Sequence, residues 1–255
     1  MNFKDCIDSY PFILMEGALG ERLKREFDLD ISGTVAMADL IYQQKGRMAL
    51  KTLWNEYMDI AHRYQLPFLA TTPTRRANKE RVYMAGYNES IITDNVDFLR
   101  TIKETANVNM YIGGLMGCKG DAYTSERALN QEEAIAFHSW QASLFKSVGV
   151  DFLYAGIMPV LSEAIGMAVA MSDTDIPYII SFTIQRNGKL IDGHTINDAI
   201  YYIDNHVSNK PVCYMTNCVH PDIVYEALSH KFNQTQMVKN PVSYTHLRAH
   251  ETCAD

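Results

Sequence analysis

The sequence predicts a parallel α/β protein of the (β/α)8, TIM-type barrel class, with about six of the eight βα units present. Short runs rich in β-branched and aromatic residues recur along the chain, and segments with helical periodicity separate them. Each run is too uniformly apolar for a half-exposed antiparallel strand. Six such units without a break in composition favour one barrel or one doubly wound sheet over two domains.

The turn after the first predicted strand helps to distinguish a barrel from a doubly wound sheet, because a doubly wound dinucleotide-binding sheet carries a glycine-rich turn there. Residues 16–20 contain only two glycines and lack the third glycine of a GxGxxG turn, which disfavours the doubly wound sheet. We predict buried parallel strands at residues 12–16, 67–71, 108–113, 150–155, 178–183 and 212–217.

Helix start signals lie between these strands. Asn130 and Glu133 have the spacing of a capping pair at the start of a helix between the third and fourth strands. Thr195 and Asp198 form a similar signal between the fifth and sixth strands. Residues 35–64 are predicted to be mostly helical, with Gly46 marking either a break or a tolerated exposed position.

The composition excludes several classes of protein. The chain has 255 residues, of which 47% are hydrophobic and 21% charged, as in an ordinary globular protein. Its formal charge of −7 is not concentrated in blocks, so no nucleic acid is expected as a partner. The apolar runs are too short for a membrane span, and the acidic start is unlike a secretory signal, so we expect a cytoplasmic protein with no membrane partner. The five cysteines form no CxxC pair, which argues against a disulfide framework.

Catalytic residues of a parallel barrel lie at the carboxyl ends of its strands. No predicted strand ends in lysine, and no serine lies in a GxSxG turn, which argues against Schiff-base and serine-hydrolase chemistry. Cys218 follows the sixth strand, beside Asn217. By residue type alone, a packing role for Cys218 has even odds against a functional role as nucleophile or metal ligand.

The motifs at the strand ends resemble those of the homocysteine S-methyltransferase family, which are zinc-dependent barrels that methylate a thiol to make methionine. Seven motifs occur in the family's order along the chain up to about Leu228. They are EGALG at 16–20 (DGAMG in the family), TPT at 72–74 (TNT), the glycine-rich loop 114–120 (GSxGPxG), GVDFL at 149–153 (GVDLL), SFT at 181–183, DG at 192–193, and TNC at 216–218 with Pro221 (VNCxxP).

The resemblance implies a particular chemistry. In the family three cysteine thiolates hold Zn²⁺, and the homocysteine sulfur takes the fourth position, where the metal deprotonates it. By resemblance, Cys218 corresponds to the first zinc ligand, and Glu16 to a carboxylate that holds the ammonium group of the amino acid. The same resemblance places Gly17, Ala18, Thr72 and Asn217 against the substrate. The partners implied are a small-molecule thiol and a methyl donor, which is a sulfonium compound, a betaine or methylfolate.

Departures from the family pattern bear on this function. The family's other two zinc ligands form an adjacent cysteine pair, which this sequence lacks, and the chain is expected to be C-terminally truncated. Strand alternation predicts that Cys213 lies on the face opposite to Cys218, where it cannot replace a ligand. Gly156 stands where the family has a glutamate that contacts the substrate's amino end. Either Glu16 carries this contact alone, or the acceptor is not homocysteine; the alternative function is a small-molecule-binding barrel that is non-catalytic or differently catalytic.

The end of the chain differs from the rest. We interpret residues 1–240 as an incomplete barrel and residues 241–255 as a tail that is not the protein's own, since VSYTHLRAHET resembles a translated sequencing adapter. His246, His250 and Cys253 have a spacing that imitates a metal site on a helix, but nothing around them would orient ligands.

Five further polar positions have ordinary structural interpretations. Arg75 and Arg76 are expected to be solvated surface residues rather than carboxylate ligands. Glu163 is placed in the first turn of a helix, where it interacts favourably with the helix dipole, and His138 on the outer face of its helix. Lys119 lies in the glycine-rich loop, where it either contacts the methyl donor or pairs in solvent.

Overall fold

Six parallel strands pair in the order in which they occur along the chain, and they form a curled sheet, a partial TIM-type barrel. This is a computed structural model, which describes residues 1–239. Every predicted strand is confirmed, with ends that shift by a few residues. The strands are β1 (Leu14–Met15), β2 (Phe68–Thr71), β3 (Met110–Met116), β4 (Phe152–Met158), β5 (Tyr178–Phe182) and β6 (Cys213–Thr216).

Helices alternate with the strands and cover the outside of the sheet. A large apolar cluster fills the layer between the helices and the strands. The helices are α1 (Phe3–Ser9), α2 (Leu19–Phe27), α3 (Gln44–Arg63), α4 (Lys79–Met84), α5 (Ser90–Lys103), α6 (Gln131–Val148), α7 (Leu161–Ser172), α8 (Ile196–His206), α9 (Pro221–Ser229) and α10 (Gln236–Lys239), with 3-10 turns at Leu40–Tyr42 and Lys231–Asn233. Within residues 1–239, none of these helices is both long and apolar enough to cross a bilayer.

Both predicted capping pairs are confirmed. The Asn130 side chain accepts a hydrogen bond from the Glu133 N–H at 2.9 Å, and the Glu133 carboxylate accepts one from the Asn130 N–H at 3.2 Å. Thr195 and Asp198 make the same reciprocal pair at the start of α8, at 2.9 and 3.3 Å. These side chains satisfy N–H groups that the first helical turn leaves without a partner.

The prediction for Gly46 is wrong. Gly46 is buried in the first turns of α3, and a Cβ there would lie 2.4 Å from the carbonyl oxygen of Leu40. Glycine is required because the preceding 3-10 turn packs directly against the helix. The break in the helical segment instead comes before Gln44, where α3 begins.

A second, smaller apolar cluster fills the inside of the curled sheet. Helix α1 contributes to it, since the Phe3 ring stacks on Phe152 with 4.5 Å between centroids and meets the edge of Tyr111. Phe152 and Tyr111 lie at the beginnings of β4 and β3. Helix α1 therefore closes the amino ends of the strands, which leaves the opposite, carboxyl ends for a site.

Candidate active site

A cavity of about 890 Å³ opens at the carboxyl ends of the strands. Its lining includes the segments that follow β1, β2 and β6 and residues within β3 and β4, which are far apart in the sequence. All of the residues that the resemblance assigned to the substrate or the metal line this one cavity, namely Glu16, Gly17, Ala18, Thr72, Asn217 and Cys218. The fold thus brings the residues together, while their roles stay a proposal.

Glu16 provides a buried carboxyl group on the β1 side of the cavity. Its side chain accepts hydrogen bonds from the backbone N–H of Thr71, at 2.8 Å, and from the Thr71 hydroxyl. Glu16 is only 6% exposed, and this burial raises the pKa of its carboxyl group from the ordinary range to about 8, although the Thr71 hydrogen bonds oppose the shift. A cationic group that enters the cavity would favour the ionised carboxylate.

The backbone after Glu16 turns sharply into helix α2. The Tyr57 hydroxyl donates a hydrogen bond to the Gly17 carbonyl at 2.5 Å, which fixes the turn from the side of α3. Ala18 caps α2 with a φ of 50°, in the left-handed region. No atom of residues 1–239 lies within 4 Å of the position that a Gly17 Cβ would occupy, so these residues leave space for a ligand beside this backbone.

Thr72 lines the cavity, but its hydroxyl group already has partners. Its Oγ1 lies 2.7 Å from the Thr74 Oγ1 and accepts a hydrogen bond from the Leu115 N–H at 3.1 Å. These contacts join the loop after β2 to strand β3. The geometry therefore favours a positioning role for Thr72 over a direct polar contact with a ligand.

On the β6 side, Asn217 is held by two hydroxyl groups that the sequence did not indicate as site residues. Its Oδ1 accepts hydrogen bonds from Ser181 at 2.5 Å and from Tyr154 at 3.2 Å. Its Nδ2 then donates to the Cys218 Sγ at 3.4 Å. Tyr154 and Ser181 both belong to predicted strands, so their inward position along those strands was the available signal.

Gly156 lies beside this hydrogen-bonded group. A Cβ at this position would be 3.0 Å from the Cε1 of Tyr154 and 3.1 Å from the Cδ1 of Leu115. The Tyr154 ring therefore occupies the space next to the residue that replaces the family's glutamate. A longer side chain at position 156 would require the ring to move.

Cys213 does not lie on the face that strand alternation predicted. It belongs to the apolar cluster inside the curled sheet, together with Met215. Strand β6 ends at Thr216, and Cys218 has a φ of 57°, so the strict alternation does not extend to Cys218. Cys213 is nonetheless no substitute ligand, because it is buried among apolar side chains and burial raises the pKa of its thiol to about 12.

Glu163 lies in the first turn of α7, as predicted, but the prediction for His138 is wrong, because His138 is buried and pairs with Glu163. His138 is 1% exposed and Glu163 is fully buried, with 3.1 Å between the His138 Nε2 and the Glu163 Oε1. The Glu163 carboxylate also accepts hydrogen bonds from the N–H groups of Lys119, at 2.7 Å, and Leu129, at 3.3 Å. Glu163 thus fixes the loop after β3 at the cavity rim.

The residues that the structure describes do not complete the zinc site implied by the resemblance. Within residues 1–239, no group of three His, Cys, Asp or Glu side chains is placed to hold a metal ion. Of the cysteines in this range, only Cys218 lines the cavity. A single thiolate does not make a zinc site, which needs three or four protein ligands.

Comparison with known proteins identifies the family. The family model described as homocysteine S-methyltransferase matches residues 13–249. The chain belongs to the homocysteine S-methyltransferase family. It is 21% identical over 217 residues to homocysteine S-methyltransferase YbgG of Bacillus subtilis (strain 168), covering 78% of this chain and 67% of that protein. The chain is therefore an S-methyltransferase, as the resemblance implied.

Solved structures of one relative share the fold. The homocysteine methyltransferase MmuM from Escherichia coli superposes in its metallated form with a TM-score of 0.72 at 19% identity, over 87% of this chain and 80% of that chain. Its apo form gives a TM-score of 0.63 at 18% identity, over 88% and 78%. These matches confirm the prediction of a TIM-type barrel fold.

Proposed function

We propose that this enzyme transfers a methyl group from a small-molecule donor to the thiol of homocysteine, forming methionine. The observation that carries this proposal is the convergence of Glu16 and Cys218 on one cavity from the two ends of the sheet. On one side, the carboxyl group of Glu16 is available to the ammonium group of an amino acid. On the other side lies the thiol of Cys218, which accepts a hydrogen bond from Asn217.

The residues of the cavity suggest how the acceptor is held. The ammonium group of homocysteine pairs with Glu16, whose carboxyl group ionises as the cation approaches. The open backbone at Gly17 and Ala18 lies along the amino-acid part of the substrate. Asn217, which Ser181 and Tyr154 hold in place, orients Cys218 at the far side. A fixed acceptor reduces the entropic cost of aligning its sulfur with the donor methyl group.

Zinc activation of the thiol stays a proposal that rests on the family and on Cys218. Residues 1–239 contribute one of the three protein thiolates that the family's site uses. The measurement is the zinc content per chain of the purified protein and of Cys218→Ser. If Cys218 is a ligand, the variant retains less zinc, whereas equal zinc content in both proteins would exclude it.

The activity itself is tested by incubating the protein with homocysteine and, in turn, S-methylmethionine, glycine betaine and methylfolate. We expect methionine to form with at least one donor, and its rate to fall at least 100-fold in Cys218→Ser. Cys6→Ala is the control, because Cys6 is buried in α1 under the amino ends of the strands. Failure to form methionine with every donor, or full activity of Cys218→Ser, would contradict the proposal.

Three further expectations accompany this function. A role in methionine biosynthesis follows if homocysteine is the acceptor. We also expect a cytoplasmic location. Its partners are expected to be small molecules rather than nucleic acid or membranes. Both expectations rest on the composition and charge of the sequence.

A further inference from the structure

A cluster of cationic side chains lies beside the main cavity, where the loops after β2 and β3 meet. Arg75, Arg76, Arg81 and Lys119 line a narrow cleft of about 50 Å³. Arg75 and Arg76 also line the main cavity, so the cleft adjoins the cavity. The cluster stands out in a chain whose formal charge is −7.

The charges on the opposite rim of the cavity are compensated within the fold. On helix α2, Arg22 forms ion pairs with Glu26 and Glu56, both at 2.6 Å. Lys24 pairs with Glu21 on the same helix. A ligand that reaches this rim therefore meets ion pairs that are already formed.

Arg75 and Arg76 differ from these α2 side chains. Within residues 1–239, neither guanidinium group makes an ion pair or a hydrogen bond. The stem of Arg75 packs closely on the loop after β3, because a Cβ at Gly117 would lie 2.6 Å from the Arg75 Cγ. This close approach holds Arg75 at the junction of the cleft and the cavity.

Arg81 adds a partly buried guanidinium group to the cluster. Its Nη1 donates a hydrogen bond to the Thr34 carbonyl at 3.2 Å, which fixes its direction. Burial lowers the pKa of Arg81, and the charge of Arg76 lowers it further; Glu80 opposes this shift, while Arg127 and Arg75 add to it. The like charges are therefore close enough to destabilise one another, and a bound anion would relieve that repulsion.

The other charged groups of the cleft have partners of their own. Lys119 pairs with Glu80 at 3.1 Å, and its Nζ lies 5.0 Å from the centre of the Phe137 ring. The Asp121 carboxylate accepts hydrogen bonds from the N–H groups of Tyr123 and Thr124 at 2.7 and 3.0 Å. The arginines thus remain the groups available to an incoming anion.

We propose that Arg75, Arg76 and Arg81 form a subsite for the carboxylate or phosphate group of a small molecule that also occupies the main cavity. Guanidinium groups bind such oxyanions through paired N–H donors, which suits this chemistry. The subsite goes beyond the proposed function, and where that function holds, the anionic molecule is the methyl donor. Donors with net negative charge are then favoured over cationic sulfonium compounds, which the cluster repels.

The test is calorimetric titration of the full chain with citrate and, separately, with inorganic phosphate. We expect the double variant Arg75→Gln/Arg76→Gln to bind the preferred anion at least tenfold more weakly. Arg186→Gln is the matched control, because Arg186 is an exposed arginine that pairs with Glu226 and lines neither the cleft nor the cavity. This control should bind within twofold of the original protein.

The two anions separate the two sources of the ligand's charge. Tighter binding of citrate indicates a carboxylate ligand, and tighter binding of phosphate indicates a phosphorylated one. Equal affinity of the double variant and the original protein for both anions, or no binding of either, would overturn the subsite. Because anion binding is measured without methyl transfer, loss of the proposed function and loss of the subsite are separate results.

Discussion

Two glutamates, Glu16 and Glu163, are both buried near the carboxyl ends of the strands, but they face different surroundings. Glu163 receives hydrogen bonds from two backbone N–H groups and lies 3.1 Å from the imidazole of His138. Glu16 lies beside Thr71 and lines the cavity, where burial raises the pKa of its carboxyl group to about 8. One carboxylate is enclosed by the fold, while the other faces the space for a ligand.

We infer from this difference that Glu163 has a structural role, whereas Glu16 is the proposed contact for the substrate. The donors around Glu163 come from α6 and from the loop after β3, so this carboxylate ties three segments together. Glu16 instead keeps a high proton affinity until a cation arrives. Stability and binding should therefore respond in opposite ways when the two side chains are replaced.

The largest expected effect is at Glu163. We expect Glu163→Ala to lower the free energy of unfolding by about 3–5 kcal/mol, because it leaves His138, a buried N–H and a partly buried N–H without their acceptor. Urea unfolding measures this change. Glu132→Ala, on the exposed side of α6, is the control and should stay within about 0.5 kcal/mol of the original protein. A similar loss of stability in both variants would contradict the structural role of Glu163.

The second prediction concerns Glu16, whose replacement should raise rather than lower the free energy of unfolding near pH 7. The folded pKa of Glu16 is raised above its unfolded value, so the original protein loses stability as the pH rises from about 4.5 towards 8. Glu16→Gln avoids this loss and should be more stable by about 3 kcal/mol near pH 7, with almost no gain at pH 4.5. Unfolding by urea across this pH range tests the prediction, and parallel pH profiles for the two proteins would contradict it.

A smaller effect is expected on the β6 side of the cavity. Tyr154→Phe removes one of the two hydroxyl groups that hold Asn217, and should lower the free energy of unfolding by about 1 kcal/mol. Tyr202→Phe, on the exposed face of α8, is the control and should have almost no effect. If the two variants were equally stable, the hydrogen bond from Tyr154 would not support the site.

The sequence predicted the elements of the barrel well because their signals are local. The apolar strand runs and the capping pairs at Asn130 and Thr195 depend on residues within a few positions of each other. Gly46 was misread because its requirement comes from contact with Leu40 across a turn. A local pattern does not report how closely two segments of backbone approach.

The residues of the candidate site could be predicted from the sequence where they belong to motifs at strand ends. Glu16 and Cys218 came from such motifs, and the structure brings both to one cavity. The pair of His138 and Glu163 was missed because the two residues are 25 positions apart and become neighbours only when α6 packs on α7. Tyr154 was missed because a tyrosine within a buried strand also has an ordinary packing role.

The central claim is that Glu16 recognises the amino group of the acceptor. It is tested most directly by measuring the affinity of the protein for homocysteine and for 4-mercaptobutyrate, which lacks only the amino group. We expect homocysteine to bind at least tenfold more tightly to the original protein, and this preference to disappear in Glu16→Gln. Equal affinities for the two thiols in the original protein would contradict the claim.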